Sequence, residues 1–228
     1  MCVSFKQLKQ AYYTLGLGFF IASLSLVAFG KLVSEILERE TAVFDQQVYA
    51  WFRLWQSPWM DTFMVWMTRI GGAVGVIGLS LGIVLWLYFF KKDGHAIRLF
   101  LIANIGGVAL NNLLKFVLRR DRPLIDPGIG AIGYSLPSGH AMGAMIFYGF
   151  IAYLILRSQR ERWLKITGAL FSVVFILMIG ASRIYLNAHY ASDVLAGYAA
   201  GLFWLSACIV VVEKRSAKNK EFANAQLS

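Results

Sequence analysis

Six stretches of this chain are each apolar over about one bilayer crossing, which few water-soluble folds could absorb. A hydrocarbon core of roughly 30 Å takes about 20 apolar residues of helix to cross. The stretches fall near residues 11–33, 62–90, 97–118, 139–156, 164–182 and 191–212. The second is over-long and contains Arg69, so its crossing is expected to start near Ile70. Only 15% of the residues are charged and 58% are hydrophobic, against about 25% charged in a soluble domain. The expected fold is therefore all-α: an integral membrane bundle of six transmembrane helices forming one domain over residues 1–212. A polar, flexible tail is expected over residues 213–228.

The basic residues give the orientation. Lys6 and Lys9 precede the first stretch, and Lys91, Lys92 and Arg98 separate the second from the third. Arg157, Arg160, Arg162 and Lys165 separate the fourth from the fifth, and Lys214, Arg215, Lys218 and Lys220 follow the sixth. Six crossings put all of these on one side, which by the positive-inside trend is the cytoplasm, together with both termini. The net charge of +10 is thereby explained without a nucleic-acid partner. The first stretch is longer than the apolar core of a signal peptide and is expected to remain as an anchor. Cys2 and Cys208 have no His or Cys neighbour at ligand spacing and are read as unpaired bystander thiols.

Between the first two stretches, Glu35, Glu38, Glu40 and Asp45 are followed by Phe44, Val48, Trp51, Trp55 and Trp59 at near-helical spacing. This predicts a short amphipathic helix at the outer interface, its tryptophans at headgroup depth. An aromatic clamp for a lipid chain is the alternative.

Polar residues gather in three clusters whose loops all fall on the outer side. In the first, Lys115, Arg119, Arg120 and Arg122 stand beside Asp121, against the positive-inside trend. Such a field calls for an anion, although snorkelling to headgroups would also place cations there. Lys115 lies inside the helix end, where an ionisable group is costly. Asn111, four residues before it, shares its face and serves either to orient the lysine or to pack between helices.

In the second cluster, Pro137-Ser138-Gly139-His140 opens the fourth stretch. Ser138 suits a helix N-cap, Gly139 lets a ligand approach the backbone, and the first helical amides would face an anion. In the third, Ser182 and Arg183 precede His189 and Asp193. Arg183 offers a bidentate phosphate donor. His189 and Asp193 are four apart, so a carboxylate can fix the imidazole tautomer and leave Nε2 as a nucleophile; a purely structural hydrogen bond would use the same spacing. His95 sits in a basic loop on the opposite side and is read as a solvated residue.

The ordered set Lys115-x6-Arg122-Pro123, Pro137-Ser138-Gly139-His140 and Ser182-Arg183-x5-His189-x3-Asp193 resembles the type 2 phosphatidic acid phosphatase (PAP2) superfamily at every key position. The resemblance implies that His189 is the nucleophile, Asp193 orients it, and His140 is the general acid and base. Lys115, Arg122, Arg183, Ser138 and the Gly139 amide would then bind the phosphate, with no metal or other cofactor. It further implies a bacterial lipid phosphatase in the plasma membrane, active on the extracytoplasmic face through a phosphohistidine. Expected partners are the bilayer and a membrane lipid phosphate: phosphatidylglycerol phosphate, phosphatidate or undecaprenyl diphosphate. A phosphotransferase of the same superfamily, a transporter and a vanadate-dependent haloperoxidase are the competing readings. Transport sites lie nearer the midplane, and the haloperoxidases are soluble. Oligomeric state is not legible in the sequence.

Overall fold

The computed structural model describes the backbone of residues 5–123 and 133–225 and the side chains of residues 15–123 and 133–214. Cys2 and the side chains of Lys6, Lys9, Arg215, Lys218 and Lys220 lie outside the described residues. Among the described residues, eight α-helices follow in order: α1 (Phe5–Leu37), α2 (Ala42–Arg53), α3 (Pro58–Ile70), α4 (Ala73–Trp86), α5 (Gly94–Leu118), α6 (Gly139–Arg157), α7 (Arg162–Tyr185) and α8 (Ala191–Ala225). Six of them, α1 and α4 to α8, are long and apolar enough to cross a membrane, with α4 lengthened by a π-helical turn over Leu87–Lys91. The fold is thus the six-span, all-α membrane bundle expected.

The surface of the spans confirms what surrounds them. Phe19, Phe20 and Val27 on α1, Val74 and Ile77 on α4, Ile105 and Phe116 on α5, and Phe171 on α7 all point outward. A continuous apolar exterior of this kind is matched to lipid, where each helix satisfies its own backbone.

The long second stretch divides where Gly71 and Gly72 interrupt it. Ser57 caps α3 with Pro58 at its first position, and α4 restarts at Ala73, close to the expected Ile70. The aromatic run before it differs from expectation: the predicted single helix is split, with α2 ending at Arg53 and Trp59 belonging to α3. Trp51, Trp55 and Trp59 are exposed, as an interfacial role requires, but Asp45 of α2 is buried rather than part of an open acidic loop.

Helices α6 and α8 are the inner pair. Phe147 and Phe150 of α6 pack on Phe100 of α5, with ring centroids 5.8 and 5.1 Å apart. Along α8, Gly197 and Gly201 repeat at four-residue spacing and let it meet the α6 backbone. A Cβ on Gly197 would lie 2.7 Å from the Ser138 carbonyl oxygen, and one on Gly201 would lie 2.8 Å from that of Met142. Small residues at this spacing are how membrane helices gain van der Waals contact without help from the hydrophobic effect.

The opposite end of the bundle is also tied. Tyr153 donates to Glu213 Oε1 at 2.6 Å, and Arg157 pairs with the same carboxylate. His95, expected to be solvated, instead has a buried Nε2 4.0 Å from Glu213.

The inner contact predicts that Gly201→Ala lowers the thermal midpoint of the detergent-solubilised protein by several degrees, a destabilisation of about 1–3 kcal/mol from overpacking. Gly82→Ala on α4, where a Cβ meets nothing within 4 Å, should leave it unchanged or raised. Equal midpoints for the two variants would show that α6 and α8 are not in backbone contact.

Candidate functional site

The three polar clusters meet at one end of the bundle because three local structures turn the chain there. At the end of α5, Arg119 adopts a left-handed conformation (φ 45°) and its N–H donates to the Lys115 carbonyl at 3.1 Å. This sends Arg120 and Arg122 back over the bundle. At the end of α7, Asn187 is also left-handed (φ 50°), and the N–H groups of Ala188 and His189 both donate to the Arg183 carbonyl, at 3.0 and 3.2 Å. His189 is thereby folded back beside Arg183. At the start of α6, the Ser138 N–H donates to the Asp193 carbonyl at 3.0 Å, joining the N-terminal ends of α6 and α8.

A cavity of about 1030 Å³ lies at this junction, lined by Lys115, Arg122, Gly139, His140, Arg183 and His189. Trp66, Thr68 and Arg69 of α3 complete its rim. Four cations face it, and no carboxylate does among the described residues. Ser138 is placed differently from the other predicted residues. It is fully buried as the cap of α6, its Oγ accepting from the Ala141 N–H, so Gly139 and His140 form the cavity wall. A Cβ on Gly139 would stand 3.0 Å from Asn111 Oδ1. Asn111 itself donates to the Pro137 carbonyl at 3.4 Å, and so packs between helices. Lys115 donates instead to the Tyr134 carbonyl at 2.8 Å.

His189 is 3% exposed and Asp193 is fully buried. The Nδ1 of His189 lies 3.5 Å from Asp193 Oδ2, an ion-pair separation in which no hydrogen bond closes. On the other side of the ring, Arg122 approaches Nε2 at 3.0 Å. A guanidinium can only donate, so Nε2 is the bare nitrogen and the ring proton sits on Nδ1, toward the carboxylate. Burial pushes the His189 imidazole down to about 4, with Asp193 opposing the shift and Arg122 and Arg183 adding to it. Burial also lowers the Arg122 guanidinium, against the pull of Asp193. Arg122 is anchored by donating to the Gly133 and Ala188 carbonyls at 2.7 and 2.8 Å. Arg183 donates to Thr68 of α3, while its buried Nε has no partner among the described residues. That donor faces a site where an anion would satisfy it.

The sequence does not reveal the supporting roles of several residues. Thr68 and Arg69 lie within an apolar run, and Arg120 within a row of arginines. Asp45 is 148 positions before Asp193, yet both carboxylates share Arg120, at 2.9 and 2.6 Å. No local spacing links residues so far apart. The one local signal is an acid, Asp45, within the amphipathic run.

Known proteins resemble this chain in sequence and in fold. Phosphatidylglycerophosphatase B of Bacillus subtilis is 29% identical over 152 residues, covering 64% of this chain and 72% of that protein. An undecaprenyl-diphosphatase of Sulfolobus acidocaldarius is 24% identical over 213 residues, covering 90% and 92%. The crystal structure of a transmembrane PAP2-type phosphatidylglycerolphosphate phosphatase from Bacillus subtilis superposes with a TM-score of 0.75 at 26% identity, over 87% of this chain and 97% of that one. The PAP2 superfamily model matches residues 96–217, the segment that carries all three clusters and four of the six spans. The chain belongs to the PAP2 superfamily and is a membrane-embedded hydrolase of phosphate esters.

Proposed function

We propose that this protein removes the terminal phosphate from a lipid phosphate or diphosphate, through a phosphohistidine on His189. The observation that carries the lipid assignment is a seam between two unlike cavities. The cationic cavity shares Ile70, Val74 and Gly75 with an apolar groove of about 1100 Å³ between α4, α6 and α7, lined by residues such as Leu79, Phe147, Ile151 and Phe171. A headgroup phosphate and its hydrocarbon chain have contiguous places of matching chemistry. The names of phosphatidylglycerophosphatase B and of the undecaprenyl-diphosphatase agree with this class, and phosphatidylglycerol phosphate, phosphatidate and undecaprenyl diphosphate are the substrates to test.

In the proposed reaction, Nε2 of His189 attacks phosphorus in line and the leaving oxygen takes a proton from His140. Water deprotonated by His140 then releases phosphate. A phosphate monoester carries about −1.5 to −2 charge, which Lys115, Arg122 and Arg183 would balance, with the free Nε of Arg183 and the Gly139 amide as donors. Ser138 contributes by capping α6 and holding that first turn in place. Preorganised cations stabilise the charge that spreads over the equatorial oxygens. The basic residues Lys91, Lys92, Arg157 and Arg160 stand at the end of the bundle opposite the site. By the positive-inside trend this favours cytoplasmic termini and an extracytoplasmic active site in the cell membrane. Residues 1–212 would then act as one domain, with 213–228 following on the cytoplasmic side.

Three outcomes are expected. His189→Ala should reduce phosphate release from a panel of defined lipid phosphates to background, while the purified protein keeps its thermal midpoint; turnover at the wild-type rate in that variant would end the assignment. His140→Gln should lower kcat by about 10²–10⁴-fold on lipid esters, the usual range for a general acid. It should lower kcat far less on p-nitrophenyl phosphate, whose leaving group needs no proton, and equal losses on both would remove His140 from the acid role. Because burial lowers the His189 pKa, the neutral nucleophile persists as pH falls below the ordinary imidazole range and is lost only on passing about 4. Nitrogen-15 spectra of histidine-labelled protein should therefore show His189 still neutral at pH 5; a midpoint at or above 6.5 would contradict this.

A further inference from the structure

Arg120 is held between two buried carboxylates that arrive on different helices. One guanidinium nitrogen donates to Asp193 Oδ1 at 2.6 Å, and the other to Asp45 Oδ2 at 2.9 Å. Asp45, on α2, is 4% exposed. It also accepts from the Ser192 N–H at 2.8 Å and from the Ser192 hydroxyl at 2.7 Å. The guanidinium contacts Ser192 Oγ at 2.8 Å and lies over the Tyr190 ring, 4.1 Å from its centroid. It therefore has no alternative pose that keeps both acids paired.

This arrangement decides how the Asp193 carboxylate is presented. Its Oδ1 is taken by Arg120, and its Oδ2 accepts from the Tyr190 N–H at 3.1 Å while facing His189 Nδ1 at 3.5 Å. An unrestrained guanidinium prefers to chelate one carboxylate with two parallel hydrogen bonds. Doing so here would draw Oδ2 away from the imidazole. Asp45 prevents this by occupying the second nitrogen.

We propose that Asp45 and Arg120 are positioning residues for the reaction: Asp45 divides the Arg120 guanidinium between two acids, so that Asp193 keeps one oxygen directed at His189. The proposal rests on the reading of His189 as nucleophile. Neither residue lines the cationic cavity, so each acts on the transition state through His189 and not on substrate affinity. A purely structural strap between α2 and α8 would affect folding stability instead.

The test uses the purified full-length protein, dioctanoyl phosphatidate in mixed micelles, and three readouts: kcat, KM and thermal midpoint. Asp45→Asn retains shape and one acceptor oxygen for the Ser192 N–H but removes the charge that competes for Arg120. With the amide nitrogen in place of the oxygen that Arg120 and the Ser192 hydroxyl share, Asp45→Asn is expected to lower kcat by about ten- to a hundredfold, the scale of a misplacement near 1 Å, with KM within about twofold. Arg120→Gln is expected to lower kcat likewise, and the double variant should lose less than the product of the two single losses, since both act through one carboxylate. Should Asp45→Asn fail to purify, Arg120→Lys carries the same test. It keeps a charge but presents only one nitrogen to the two acids, and kcat should fall with KM unchanged. Wild-type kcat in a folded variant, or an effect confined to KM or to the thermal midpoint, overturns the proposal. His189→Ala measured alongside separates the two readings: if it is inactive while Asp45→Asn is fully active, only the positioning role falls.

Discussion

The close backbone contact between α6 and α8 is the constraint on which the site depends. Gly197 and Gly201 bring the α8 backbone to the carbonyl oxygens of Ser138 and Met142, and the Ser138 N–H closes on the Asp193 carbonyl at 3.0 Å. His140 lies in the first turn of one of these helices, and His189 stands two residues before the start of the other. Packing the two helices together therefore fixes both histidines against one cavity. In a bilayer, apolar burial offers little drive for helix association, so close packing of small residues has to supply it.

Charge is distributed with a consistent logic around that contact. The cavity wall carries cations and the carboxylates are kept behind it, Asp193 and Asp45 each paired with Arg120. An isolated buried carboxylate would be heavily penalised, and two without a cation would repel. A single arginine shared between them resolves both costs and leaves the front of the site free for an anion. The seam with the apolar groove then places this charged surface next to a region suited to hydrocarbon.

Much of this was legible in the sequence, because the signals are short-range or compositional. The six spans follow from apolar length alone. The His189–Asp193 relation follows from helical spacing, and the capping role of Ser138 from residue type. Other features depend on where distant segments dock. The amphipathic run containing Trp51 and Trp59 is two helices, since Ser57 and Pro58 start a new one. His95 is drawn toward Glu213 by the packing of α5 beside α8. Asp45 looked like part of an acidic loop and is instead buried against Arg120 and Ser192.

By itself, then, the sequence determined that the chain is a six-span membrane protein and that its polar residues fall in three ordered clusters at the same end of the spans. Those are properties of local composition and of the alternation of spans, which any packing of the helices would preserve. Only the tertiary structure decided which cations face the cavity and which support it from behind. Arg120 and Arg122 are two residues apart in the same basic run, yet one pairs with buried acids and the other with the imidazole. The left-handed turn at Arg119 and the docking of α2 on α8 set that difference, and neither is encoded in the spacing of the arginines themselves.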